Sequence, residues 1–169
     1  MSVRFVIDSL DYVRNARVHH GRISPAEFTR LQSYLFDSYG ELEYTVSGLL
    51  DEYSRPTICI LIKGEINLCC QRCLGKLAHT LDLQTNLLLV KNEAELEQND
   101  EDDTVDSILV SSEMDVPGLV EDEIILSFSI SLCHQEGKCS TELSANHQVV
   151  DKKLREHPFA ALAELKKTH

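Results

Sequence analysis

Residues 57–90, TICILIKGEINLCCQRCLGKLAHTLDLQTNLLLV, contain the strongest structural pattern in the chain. The first part, 57–68, is rich in β-branched isoleucine, and 77–90 alternates apolar and polar residues before it closes on four consecutive apolar side chains. Two such runs joined by a short polar connection predict a pair of antiparallel strands. The connection, CQRCLG, therefore places Cys70 and Cys73 at a hairpin tip.

Further elements are predicted before the hairpin. Alternation at Tyr44, Val46 and Gly48 indicates a strand that would complete an antiparallel meander. A capping box over 24–27, followed by apolar residues at helical spacing, predicts a helix that ends at Gly40.

Beyond the hairpin, 105–110 fits a fourth strand, and a helix begins at Asp115 or Val116 with Pro117 in its first turn. A short amphipathic helix is predicted at 158–167. These elements indicate an α+β protein: one domain over 1–169, with a small antiparallel sheet or partial barrel and helices in its N-terminal and C-terminal parts.

The net charge of −12 is concentrated in one segment. Residues 91–123 contain thirteen carboxylates and one lysine, whereas the other acids and bases balance one another. Residues 91–104 are predicted to be a flexible acidic loop, because they have too few large apolar side chains to pack. The three carboxylates at 121–123 are interpreted as a solvated helix face.

Several classes of protein are excluded by the composition. No apolar run reaches the roughly 18 residues that a membrane helix needs. The first twenty residues carry charges where a signal peptide would be apolar, so we expect a cytoplasmic protein with reduced cysteines. Phosphate-binding loops, nucleophile elbows and His-Glu-x-x-His motifs are absent, so neither an enzyme nor a small-molecule substrate is expected.

The spacing Cys70-x-x-Cys73 on a turn is typical of half a tetrahedral zinc site. Cys133 and Cys139 can supply the second half, with His134 as the alternative to Cys133. A structural zinc is therefore one hypothesis for these residues, and six buried or incidental thiols are the alternative. A redox role for the pair is less favoured because the flanking segments are antiparallel strands.

Four arginines are candidates for binding RNA, since a guanidinium can fork onto phosphate and stack on a base. Three of them, Arg14, Arg17 and Arg22, lie close together near the amino terminus with aromatic residues among them, and Arg72 lies at the hairpin tip. The alternative is that the amino-terminal arginines pair with nearby acids on an ordinary surface.

Three segments together resemble the YceD family, whose members are called large ribosomal RNA subunit accumulation proteins. They are CQRC at 70–73, VEDEIIL at 120–126 and PFAALAELK at 158–166. The resemblance implies a role in synthesis, processing or stability of large-subunit (23S) ribosomal RNA, without known catalytic activity. It also implies that Cys139 matches a further cysteine of the family, and that the family has a His or Cys near 133–134.

The expected function is therefore that of a non-enzymatic ribosome-biogenesis factor. Its partner would be ribosomal RNA or a pre-ribosomal particle, reached directly or through a basic ribosomal protein. The alternative is an acidic interaction module that holds a basic ribosomal protein or assembly partner and makes no RNA contact.

Overall fold

A computed structural model of the chain describes residues 5–100 and 106–139. The strands in these residues are β1 (Val6–Ile7), β2 (Val18–Ile23), β3 (Leu35–Asp37), β4 (Leu42–Leu50), β5 (Pro56–Cys69), β6 (Lys76–Val90), β7 (Asp106–Leu109) and β8 (Met114–Asp115). The helices are α1 (Ser9–Arg14), α2 (Glu93–Asp100) and α3 (Val116–Leu126), and single 3-10 turns span Pro25–Glu27 and Leu31–Ser33. The α+β class is confirmed, whereas the helix predicted at 158–167 lies outside the described residues.

The antiparallel meander β4–β5–β6 forms the centre of the fold, as predicted. Tyr44 pairs with Ile62, and Ile62 pairs with Leu83 on the other side. Alternate residues of β5 point into the core because successive side chains of a strand face opposite sides of the sheet. The inward set is at most 1% exposed and consists of Ile58, Ile60, Ile62, Ile66 and Leu68. Burial of each such side chain contributes roughly 1.5–3 kcal/mol.

The main sheet is mixed and is not a closed barrel, so the prediction of a small antiparallel sheet holds for the meander but not for β7. Strand β2 pairs antiparallel with β4, β3 pairs with β5, and β7 pairs parallel with β6. Parallel neighbours need a crossover connection, and α2 lies in the one between β6 and β7. The sequence predicted a flexible loop at 91–104, but Glu93–Asp100 forms helix α2. Glu93 and Glu95 fall in the first turn of α2, where they complement the helix dipole.

The predicted helix between Ser24 and Gly40 does not form. The capping box between Ser24 and Glu27 is present, but the turn that it caps ends at Glu27. Phe28 and Leu31 are instead buried at 3% and 0% exposure, and the chain continues into β3 on the edge of β5. Core burial and strand pairing therefore prevail over the local helix signal.

Residues 8–23 pack against the sheet. Asp8 caps α1 by accepting a hydrogen bond from the backbone N–H of Asp11. Helix α1 crosses β4 at Gly48, where an added Cβ would lie 2.7 Å from both the carbonyl oxygen of Tyr12 and Cα of Val13. The Tyr12 hydroxyl donates to the carbonyl of Val46 at 3.0 Å, so a glycine at this crossing lets the helix reach the sheet.

Helix α3 confirms the prediction, and its apolar face (Val116, Val120 and Ile124) is fully buried. The interpretation of 121–123 as a solvated face was wrong for Glu121, which is 6% exposed. Its carboxylate accepts hydrogen bonds from the backbone N–H groups of Arg30 and Leu31. The partner lies ninety-one residues earlier in the chain, so helical periodicity alone could not indicate it. Across 5–100 and 106–139, no helix is both long and apolar enough to span a membrane.

Candidate metal centre

The first half of the centre is the turn between β5 and β6. The N–H of Cys70 donates to the carbonyl of Gly75 at 2.9 Å, and the N–H of Leu74 donates to the carbonyl of Cys70 at 2.8 Å. Leu74 adopts a left-handed conformation with φ 56°, which lets the chain reverse within six residues. Cys70 and Cys73 are consequently 0% and 9% exposed at the hairpin tip.

The second half is the segment after α3, residues 132–139. The N–H of Gln71 donates to the carbonyl of Leu132 at 2.8 Å, which ties this segment to the hairpin tip. A turn follows, with a hydrogen bond from the N–H of Lys138 to the carbonyl of Gln135 and a positive φ of 78° at Gly137. The turn brings His134 and Cys139 to the two hairpin cysteines.

Four ligand atoms of Cys70, Cys73, His134 and Cys139 lie within 4.8 Å of one another. Cys73 Sγ is 3.4 Å from His134 Nδ1, and Cys139 Sγ is 3.9 Å from both His134 Nδ1 and Cys70 Sγ. Zinc bonds of about 2.3 Å to sulfur and about 2.0 Å to nitrogen require tetrahedral edges of about 3.5–3.8 Å. The cluster thus has the donor types of a Cys₃His zinc site at distances near or somewhat above these edges, and it could hold a metal ion.

His134 is oriented for this role by its second ring nitrogen. Nε2 lies 3.0 Å from the carbonyl of Lys76 and donates its proton to it, so Nδ1 faces the sulfurs and presents a lone pair to them once the ring is neutral. The hydrogen bond with the Cys70 sulfur, and next the one with the Lys76 carbonyl, raise the pKa of His134.

The thiols of the cluster differ in acidity. Burial opposes ionisation of Cys70, but the backbone groups of Cys73, His134 and Arg72 bond to its sulfur and lower its pKa to about 5. For Cys139 the hydrogen bond from Arg72 lowers the pKa, yet burial and the sulfurs of Cys73 and Cys70 outweigh it and raise the pKa overall. The sulfurs of Cys73 and Cys70 thus oppose ionisation of Cys139, and a divalent cation would remove that opposition.

The structure therefore brings together four of the five predicted metal ligands. Between the two alternatives for the remaining position, His134 belongs to the cluster. Cys133 is outside it, with its sulfur 3.2 Å from Ser131 Oγ. The sequence could not decide between these neighbours, because the choice depends on the path of 132–139 past the hairpin.

The four arginines predicted to bind RNA have different surroundings. Arg72 contacts the metal cluster, where its Nε donates to Cys139 Sγ at 3.0 Å. Arg17 pairs with Asp11 at 3.3 Å, and Arg22 with Glu43 at 2.9 Å, both as exposed ion pairs. Arg14 is exposed and has no ion pair within the described part of the chain.

The comparisons with known proteins match the part of the chain that contains this cluster. A family model described as "Large ribosomal RNA subunit accumulation protein YceD" matches residues 58–166, a range that includes the hairpin and all four cluster residues. The large ribosomal RNA subunit accumulation protein YceD of Haemophilus influenzae (strain ATCC 51907 / DSM 11121 / KW20 / Rd) is 28% identical over 166 residues, which cover 93% of this chain and 88% of the relative. No solved structure matches the chain. With the family model matching more than half of its residues, the chain belongs to the YceD family.

Proposed function

We propose that this protein is a non-enzymatic factor that supports the synthesis, processing or stability of large-subunit (23S) ribosomal RNA. One observation carries the proposal: the family to which the chain belongs, and its relative in Haemophilus influenzae, are both named for accumulation of the large ribosomal RNA subunit.

We further propose that Cys70, Cys73, His134 and Cys139 hold a structural zinc ion. Four protein ligands complete a tetrahedral shell, and this is typical of zinc that stabilises a fold, since catalytic zinc keeps a position for water or substrate. Zinc at this position would supply the cross-link between the hairpin tip and 132–139. These segments otherwise meet through a few hydrogen bonds, such as the one from Gln71 to Leu132.

The test of the cellular role compares ribosomal RNA in strains with and without the protein. Loss of the protein should lower the ratio of large-subunit to small-subunit ribosomal RNA, and the wild-type chain should restore it. Cys73→Ser should fail to restore the ratio, because it removes a ligand of the cluster. The matched control is Cys133→Ser, which should restore it, since Cys133 is outside the cluster. An unchanged ratio in the strain without the protein would overturn the proposed role.

A second candidate is favoured by the distribution of charge. Exposed glutamates, Glu93, Glu95 and Glu97, line α2, whereas Arg17, Arg22 and Arg72 already have partners. In this version the protein holds a basic ribosomal protein or assembly partner by electrostatic attraction and reaches RNA only through it.

Gel-shift titration of purified protein against large-subunit RNA at low salt separates the two versions. Direct binding predicts a shift with a negative salt slope, which the triple change of Arg14, Arg17 and Arg22 to Gln abolishes. Partner-mediated contact predicts no shift by the protein alone. It also predicts that changing Glu93, Glu95 and Glu97 to Gln weakens association with pre-ribosomal particles.

A further inference from the structure

We propose that Arg72 is a positioning residue of the metal centre. Its guanidinium balances the charge of a zinc ion bound by three thiolates and one imidazole. It also holds residues 134–139 against the hairpin tip. This inference rests on the proposed structural zinc and goes beyond it, because it assigns a role to a residue that is not a ligand.

The contacts of Arg72 all lead to the second half of the centre. Nε donates to Cys139 Sγ at 3.0 Å, and one Nη donates to the carbonyls of His134 at 2.9 Å and Gln135 at 3.3 Å. A guanidinium is suited to this task because its five donors are fixed in one plane. Arg72 lies between the two cysteines of the hairpin tip, so one side chain reaches across to both remaining ligand residues.

The charge of the bound centre explains why a cation belongs there. Three thiolates and a neutral imidazole around Zn²⁺ leave a net charge of −1. Lys76 is close in sequence, but its Nζ is paired with Asp37 at 3.6 Å. Among the described residues, Arg72 is the cation that bonds directly to a ligating sulfur, and a charge-assisted hydrogen bond of this kind stabilises the thiolate form that zinc requires.

The same contacts bear on the prediction that Arg72 binds RNA. The sequence predicts that Arg72 binds RNA from the hairpin tip, whereas the guanidinium is occupied by one sulfur and two carbonyl groups. A loss of RNA association in an Arg72 variant would then follow loss of metal and would not report a lost phosphate contact.

The test measures zinc affinity by competition with a chromophoric chelator, for the wild type, Arg72→Gln and Arg72→Lys. Partners of ligating groups typically change metal affinity by about 10–100-fold, so Arg72→Gln should weaken binding by at least about 10-fold. Arg72→Lys keeps the charge but cannot span the three acceptors, so its loss should be smaller. Arg22→Gln removes the same charge from an exposed ion pair and should leave the affinity unchanged.

A second readout follows the hydrogen bond itself. In the Co²⁺-loaded protein, the sulfur-to-metal charge-transfer band should shift in Arg72→Gln, because one sulfur loses a donor. Alkylation of the zinc-loaded variant, resolved by cysteine, should accelerate at Cys139 relative to Cys70. A role confined to packing would move neither signal.

The outcomes separate the two proposals. A wild-type chain that binds no zinc overturns both the structural zinc and the role of Arg72. Zinc binding by the wild type, with an affinity of Arg72→Gln within twofold of it and an unchanged charge-transfer band, overturns the role of Arg72 alone. An equal loss in Arg72→Lys and Arg72→Gln overturns charge balance as its basis.

Discussion

Replacing Glu121 with Ala should destabilise the protein by about 2–4 kcal/mol, although the residue lies in a run of three carboxylates. Its side chain is 8% exposed and accepts three hydrogen bonds. The backbone N–H groups of Arg30 and Leu31 donate at 2.6 Å and 2.9 Å, and Arg30 Nε donates at 3.1 Å. The carboxylate thus attaches the 24–34 segment to α3.

The magnitude follows from what the substitution leaves behind. Leu31 is 0% exposed, so its N–H would lose its acceptor out of reach of water, which costs about 1–3 kcal/mol. The N–H of Arg30 is only partly buried and adds less. The Arg30 side chain is 53% exposed, so its lost ion pair adds at most about 1 kcal/mol.

Asp122 provides the matched control. It is the next residue on α3 and also binds the Arg30 side chain. However, its side chain is 45% exposed, and within the described residues it accepts no hydrogen bond from a backbone N–H of 24–34. Asp122→Ala should therefore change the free energy of unfolding by about 1 kcal/mol or less.

Urea unfolding of zinc-saturated protein is the assay. With an m-value of about 2 kcal/mol/M, Glu121→Ala should lower the midpoint by about 1–2 M and Asp122→Ala by about 0.5 M or less. Equal midpoints for the two variants, or a loss below about 1 kcal/mol for Glu121→Ala, would refute the reasoning.

Three further predictions concern other parts of the molecule. Gly48→Ala should destabilise by about 1–3 kcal/mol, because its Cβ would lie 2.7 Å from the backbone of α1; thermal unfolding measures this, and an unchanged midpoint would contradict it. Zinc affinity should rise between about pH 6 and pH 8, since the raised pKa values of Cys139 and His134 favour their protonated forms in the metal-free protein and binding must release those protons. Calorimetry in buffers of different ionisation enthalpy detects that release, and an affinity independent of pH would count against the cluster. The amides of Glu93–Asp100 should exchange with deuterium faster than those of β5, because an eight-residue helix with exposed glutamates has little packing to protect it; equal protection would contradict this.

Strands β4, β5 and β6 could be predicted because their signal is local. Alternating side chains with one buried set require a sheet, and the short connection at 70–75 fixes the pairing of β5 with β6. The cysteine spacing was likewise informative, because two thiols on such a turn must lie near each other.

The errors arose where distant contacts determine the structure. Phe28 and Leu31 fit a helical face, but their burial under the sheet and the pairing of Leu35 with Leu68 stop the helix after one turn. In the sequence Glu121 looks the same as Asp122 and Glu123, and its partner Arg30 lies ninety-one residues earlier in the chain. Partners of this kind leave no pattern in a single sequence.

The fourth ligand and the role of Arg72 also depend on contacts between distant parts of the chain. Cys133 and His134 are adjacent, and hydrogen bonds between 132–139 and the hairpin, such as the one from Gln71 to Leu132, set which of them faces the cysteines. An arginine within Cys-x-x-Cys is equally consistent with a contact to RNA or to a thiolate until 134–139 is in place.

Metal content measured on freshly purified, reduced protein tests the central claim most directly. Mass spectrometry of the metal should give about one zinc per chain for the wild type and for Cys133→Ser. Cys139→Ser and His134→Ala should lose most of it, because each removes one atom of the cluster. A wild-type chain without zinc would contradict the account, as would a His134→Ala variant that keeps its zinc while Cys133→Ser loses it.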